Sequence, residues 1–186
     1  MYGIKMPDGS LITDEEWACP ADVMRSAHGH GVTRMPGTLV RLPERTHPLP
    51  VYTDGSSWQG DGGWAWWVSD DLCGSGSAID TTNQQMEMLA VLEALEAFSA
   101  HPVEIISDSA YVINGMTQRW YEKWRLNGWR SSQKKPVANQ SLWEALIEVV
   151  EARTLPVFWT HVRGHQGIEG NEAADRLAGR ARKEML

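Results

Sequence analysis

Four acidic side chains in this 186-residue chain stand where a carboxylate needs a chemical reason. Asp54 follows Val51-Tyr52-Thr53, a run of β-formers, and precedes Gly55-Ser56-Ser57. That run predicts a strand over 51–57, and a carboxylate inside a central strand is costly to bury unless a cation meets it. Glu87 falls in a helical pattern, Asp108 ends the β-run Val103–Ser107, and Asp175 stands in a closing helix. Taken singly, Glu87 reads as a solvated helix surface and Asp108 as an N-cap. Taken together, the four read as one cluster around two divalent cations, with Asp54 shared by both. Oxygen-only ligands select hard ions, Mg²⁺ with Mn²⁺ as a substitute. His165 sits in a polar loop punctuated by Gly164, Gly167 and Gly170, where a proton-handling role fits. His161 alternates within a strand and reads as structural.

A second group lies between Arg119 and Lys135. Arg119, Lys123, Arg125, Arg130, Lys134 and Lys135 face only Glu122, with Trp120, Trp124 and Trp129 interleaved. Cations among aromatic faces suit a phosphate backbone and sugar or base surfaces. The competing reading is an amphipathic helix with Trp120 and Trp124, four apart, packed inward. We expect some of each. The net charge of −7 and pI of about 5.3 argue against a polyanion partner, but a local patch outweighs the total.

The elements that must position these groups are sharply patterned from residue 51 onward. Trp64–Val68 is a strand, Asp70-Asp71 a turn, and Leu72–Ile79 a third strand, so 51–79 reads as an antiparallel meander. Trp64, Trp66 and Trp67 read as sheet packing. Thr82–Phe98 is a helix with Met86, Leu89, Val91, Leu92, Leu95 and Phe98 inward. Val103–Ser107 is a strand, and Ser109 opens a helix behind it. Asn139–Arg153 is a helix with Leu142, Leu146, Val149 and Val150 inward. Pro156–His161 is the last strand, and Asn171 is expected to N-cap the closing helix, with Asp175 in its first full turn.

Residues 1–50 have a different texture and are expected to form an accessory segment before a domain at 51–186. Met6–Ser10 is a turn between two short β-like pieces, Thr13–Glu16 has capping-box spacing, and 37–42 is a short strand. Pro43, Pro48 and Pro50 read as a linker. Cys19, His28 and His30 offer three metal ligands in a spacing that fits no common zinc site. Only two cysteines occur in the chain, which points to a reducing, cytoplasmic compartment. No apolar run approaches a membrane span or a secretory leader.

Four motifs resemble type 1 ribonuclease H in order and interval. They are Tyr-Thr-Asp-Gly-Ser at 52–56, Thr-Thr-Asn-Gln-Gln-Met-Glu at 81–87, Ser-Asp-Ser-Ala-Tyr-Val at 107–112, and Val-Arg-Gly-His-Gln-Gly at 162–167 leading into Asn-Glu-Ala-Ala-Asp at 171–175. The resemblance implies an α/β fold, a five-stranded mixed sheet of three antiparallel strands and then parallel ones, flanked by helices. It implies Asp54, Glu87, Asp108 and Asp175 as metal ligands and His165 as an aid to proton transfer or product release. It implies hybrid contacts from Gly55, Ser56, Thr82, Asn83, Gln84, Ser109 and Asn171. Arg119–Lys135 resembles the family's basic protrusion, with Trp120, Lys123, Trp124, Trp129, Lys134 and Lys135 touching the duplex. Two departures stand out. Ala110 replaces a residue that is often Gln, and Trp120 is displaced by one position.

The implied reaction is hydrolysis of the RNA strand of an RNA–DNA hybrid, leaving 5′-phosphate and 3′-hydroxyl ends. Two cations can activate the water and stabilise the leaving oxygen of an in-line displacement. Choice of strand would rest on minor-groove shape and the 2′-hydroxyl. The chain is expected to act as a monomer without a protein partner or membrane. The alternatives are a silent hybrid-binding module of the same fold, another metal–carboxylate nuclease or strand-transfer domain, and a structural protein that binds a stabilising cation.

Overall fold

The computed structural model describes residues 2–5, 11–13, 38–41 and 47–184. Three short strands form a sheet of their own, β1 (Tyr2–Lys5), β2 (Leu11–Thr13) and β3 (Thr38–Arg41), in the order β2-β1-β3 and antiparallel throughout. The two β-like pieces and the 37–42 strand are therefore present. The turn at 6–10, the capping-box helix start, the Pro43 part of the linker and the Cys19, His28 and His30 group lie outside the described residues.

The second sheet contains β4 (Leu49–Trp58), β5 (Asp61–Ser69), β6 (Leu72–Ala78), β7 (Val103–Ser107) and β8 (Val157–His161), in the order β6-β5-β4-β7-β8. The first three form an antiparallel meander, and β4, β7 and β8 run parallel. Among the described residues there are five helices: α1 (Asn83–Ala97), α2 (Ala110–Thr117), α3 (Trp120–Leu126), α4 (Gln140–Ala152) and α5 (Glu169–Lys183).

Successive strand residues face opposite sides of a sheet, and two glycines show which helix covers which side. A Cβ on Gly55 would lie 2.2 Å from the Glu87 nitrogen of α1. A Cβ on Gly63, the cross-strand partner of Ser56, would lie 2.2 Å from the Ala178 carbonyl of α5. The helices α1 and α5 thus lie on opposite faces, and each leans on backbone that carries no side chain. The core includes Val51, Trp66, Val91, Leu95, Phe98, Ile105, Trp143 and Leu146, all nearly fully buried. Trp66 meets Phe98 edge to face at 5.1 Å, and Gly74 across the strand leaves room for its indole. The tryptophans of β5 are sheet packing, as their sequence suggests.

Three elements differ from their sequence reading. Strand β4 begins at Leu49, so Leu49 and Pro50 belong to the sheet. Proline is tolerated there because β5 pairs with β4 only from Tyr52 onward, leaving no donor required of Pro50 on that side. Helix α4 buries Trp143, Leu146 and Ile147, while Leu142, Val149 and Val150 are half-buried at its flanks. Trp143 takes the central place because Gly115 leaves a slot for its ring, 2.2 Å from where a Cβ would stand. Helix α5 starts at Glu169, so Asn171 is inside its first turn and Asp175 in its second.

Candidate active site

The parallel register brings two of the acidic residues side by side. Val51 and Tyr52 of β4 pair with Ile105 and Ile106 of β7, and two further steps along each strand reach Asp54 and Asp108. Asp54 is 8 % exposed and its Oδ1 accepts the Gly55 N–H at 2.8 Å. Asp108 lies just past the end of β7, and Ser109, not Asp108, caps α2 by accepting the Val112 N–H. That leaves the Asp108 carboxylate free to face the neighbouring strand.

Helix α1 supplies the third group. Its N-terminus is held by a reciprocal capping box between Thr82 and Gln85, which fixes the helix phase. The close approach at Gly55 sets Glu87 beside Asp54. The Glu87 carboxylate is then oriented from both sides. Ser109 Oγ donates to its Oε2 at 2.5 Å, and Asn83 Nδ2 donates to its Oε1 at 2.9 Å. The Asn83 carbonyl in turn accepts the Ser57 N–H at 3.1 Å. Glu87 is therefore not a solvated helix surface.

Helix α5 closes the site. Gly170 packs on the Tyr52 ring, where a Cβ would stand 2.3 Å from a ring carbon. This brings Asn171 in at 3 % exposure, and its Nδ2 donates to Asp108 Oδ2 at 3.3 Å. Asn171 is a buried ligand of Asp108 rather than a helix cap. Asp175 follows one turn later. His165 is exposed in the loop before α5 with a positive φ of 55°. Glu172 Oε1 holds that loop by accepting the Gly167 N–H at 3.0 Å.

Asp54, Gly55, Ser56, Asn83, Glu87, Asp108, His165, Asn171, Glu172 and Asp175 line one open cavity of about 380 Å³. Glu172 is the residue that sequence reasoning missed. Its position three residues before Asp175, on the same helical face, is the signal that could have found it. Of the other expected site residues, Ser109 acts on Glu87, while Thr82 and Gln84 are exposed on the first turn of α1. Trp120, Lys123, Trp124, Trp129, Lys134 and Lys135 lie on a separate protrusion built from α3 and the following loop. Within it Trp124 packs against Trp143 of the core at 5.3 Å and against Trp120 and Trp129 at 6.1 Å each. Lys123, Lys134 and Lys135 are exposed. Arg119 is paired to Glu122 and Arg125 to Glu151.

The carboxylates feel one another. The Asp54 carboxyl is pushed up to about 8, first by burial and then by the charge of Asp108, with Asp175 and Glu87 adding to it and the Gly55 N–H opposing it. Burial also raises Glu87, against the opposing hydrogen bonds from Ser109 and Asn83. Like charges crowded in a half-dry pocket favour a proton or a cation. The donors are oxygens suited to Mg²⁺ or Mn²⁺. Among the described residues no three of these groups are already drawn around a single metal position.

A family model described as RNase H matches residues 46–183. The chain is 42 % identical over 144 residues to a ribonuclease H of Syntrophomonas wolfei, covering 73 % of this chain and 96 % of the relative. It is 40 % identical over 141 residues to ribonuclease HI of Pseudomonas aeruginosa, covering 73 % and 93 %. Among solved structures it is similar to LC9-RNase H1, a type 1 RNase H with the type 2 active-site motif. The TM-score is 0.63 at 28 % identity, over 79 % of this chain and 76 % of the other. It is also similar to a foamy viral protease–reverse transcriptase solved with double-stranded DNA, with a TM-score of 0.63 at 25 % identity, over 77 % and 99 %.

Proposed function

Because the chain belongs to the ribonuclease H family, whose members cut the RNA strand of RNA–DNA hybrids, we propose that it does so with two divalent cations held by Asp54, Glu87, Asp108 and Asp175. It is a metal-dependent endoribonuclease, and the ends it leaves are 5′-phosphate and 3′-hydroxyl. The observation that carries the reading is the convergence of four carboxylates, from β4, α1, the end of β7 and α5, in one cavity.

When bound, the cations supply an activated water and charge stabilisation for the leaving oxygen. The chain's own residues do the rest. Ser109 and Asn83 orient Glu87 and favour its charged form against the effect of burial. Asn171 fixes Asp108. His165, at the cavity edge on an exposed loop, moves protons between the site and solvent. Asn83 and Ser56 at the cavity rim, with Gln84 beside them, face the minor groove, where a 2′-hydroxyl distinguishes RNA from DNA. Lys123, Lys134 and Lys135 attract the phosphate backbone. No helix among the described residues is long and apolar enough to cross a membrane, and with two cysteines in the chain a reducing cytoplasm is the proposed setting. A monomer suffices, since every proposed ligand comes from one chain.

The test is cleavage of a hybrid with either strand labelled, in Mg²⁺ and then in Mn²⁺. We expect cuts in the RNA strand alone. Asp108→Asn is expected to abolish cleavage while hybrid binding persists. Cuts in the DNA strand, or full activity in that variant, would overturn the assignment.

A further inference from the structure

Arg125 belongs by sequence to the basic patch, yet in the structure it is engaged by an acidic side chain of α4. Both of its terminal nitrogens reach Glu151 on the last turn of α4, at 2.7 and 3.0 Å. This fork-to-fork pairing is geometrically specific in a way that a single contact is not. The guanidinium also lies 5.7 Å from the centre of the Tyr121 ring. Around it, Arg125, Trp129, Glu144, Glu148 and Glu151 line an open groove between the protrusion and α4. Three carboxylates on that wall repel phosphate, so this side of α3 is not the side that meets a polyanion. Lys123, two residues earlier, projects about 200° around the helix and is exposed. It therefore points away from the acidic wall.

Helix α3 has seven residues and none of them is buried. A helix that short does not hold its own orientation. Its attachments include the Trp124 ring against Trp143, Tyr121 and Trp129 packed half-buried against the core, the backbone bonds that close the following loop, Trp129 N–H to Trp124 O and Val137 N–H to Trp129 O, and the Arg125–Glu151 fork. Of these, the fork is the attachment that ties α3 to the last turn of α4.

We propose that the Arg125–Glu151 pair is a positioning latch that fixes the rotation of the protrusion, so that Lys123, Lys134 and Lys135 are presented together to the hybrid. Glu151, an acidic residue far along the chain from the carboxylate cavity, thereby strengthens the binding of a polyanion. The inference rests on the ribonuclease H reading of the catalytic site, and it concerns KM rather than the chemical step.

The sign of one measurement separates the latch from the simpler idea that Arg125 itself grips phosphate. If Arg125 grips phosphate, Glu151→Gln removes a repelling charge and frees a cation, so KM falls. If the pair is a latch, Glu151→Gln raises KM by roughly two- to fivefold, the scale of an exposed but well-aligned ion pair, with kcat unchanged. Arg125→Gln is expected to match it, and the double variant to be no worse than either single one, since both remove one interaction. The exchange of charges, Arg125→Glu with Glu151→Arg, is expected to recover part of the loss. Thermal melting of each variant separates a latch defect from general unfolding, which would lower kcat as well. A KM that stays level or falls in Glu151→Gln, or a loss in Arg125→Gln alone, overturns the latch. Failure of the wild-type chain to cut hybrids would instead overturn the catalytic reading.

Discussion

Replacing Asp54 by Asn should destroy activity and stabilise the metal-free fold. A carboxyl that ordinarily ionises near 3.8 is held here near 8 by burial and by Asp108, Asp175 and Glu87. The folded state therefore prefers the protonated form, and that preference contributes stability below the ordinary carboxylate range. The contribution is lost as pH rises toward 8, because the unfolded chain has already released the proton. At about 1.4 kcal/mol per pH unit the interval sets a ceiling of about 6 kcal/mol. Water in the open cavity and side-chain movement lower the effective cost, so we expect Asp54→Asn to gain about 2–3 kcal/mol at pH 8. Asn keeps the shape and an oxygen for the Gly55 N–H, which isolates the charge. The assay is urea unfolding of both proteins in chelator at pH 5 and pH 8. The wild type should lose stability between the two and the variant should lose less, while added Mg²⁺ should narrow the gap by binding only the wild-type site. Equal stability at pH 8, or a gain of the same size at pH 5, would refute the reasoning.

Two further outcomes follow from packing. Gly55→Ala puts a methyl group 2.2–2.4 Å from the α1 backbone at Met86 and Glu87. It should cost about 3 kcal/mol and displace Glu87, so melting temperature and kcat fall together. Arg153 donates to the carbonyls of Leu95, Phe98 and His101, capping the C-terminal end of α1. Arg153→Ala should cost about 2–4 kcal/mol in urea unfolding and leave KM unchanged at temperatures where the variant is folded.

The four proposed ligand positions were legible because each sits in or beside a strongly patterned element. Asp54 interrupts a run of β-formers, Asp108 terminates one, Glu87 follows a clear helix start, and Asp175 lies in a closing helix whose existence, though not its first residue, was readable. Other features depend on partners that local sequence does not name. Pro50 looks like a linker until β5 is known to stop pairing short of it. Gly170 looks like a helix breaker, but its smallness matters more than its freedom, because the Tyr52 ring lies against it. That is why α5 begins before Asn171, and why Asn171 became a ligand of Asp108. Trp143 was hidden because its slot is made by Gly115 on another helix. Arg125 counted as an exposed cation because Glu151 lies 26 residues away.

The order of connections in the larger sheet has a consequence for the growing chain. The meander β4–β5–β6 and helix α1 are contiguous, so Asp54 and Glu87 can approach each other from local pairings alone. Asp108 waits for β7 to add beside β4, and Asp175 arrives only when α5 docks across the opposite face. Any nascent polypeptide that stops short of α5 can hold most of a folded sheet and still lack the last wall of its cutting centre. On the proposed ligand set, synthesis from the N-terminus would leave the site one carboxylate short until α5 has docked.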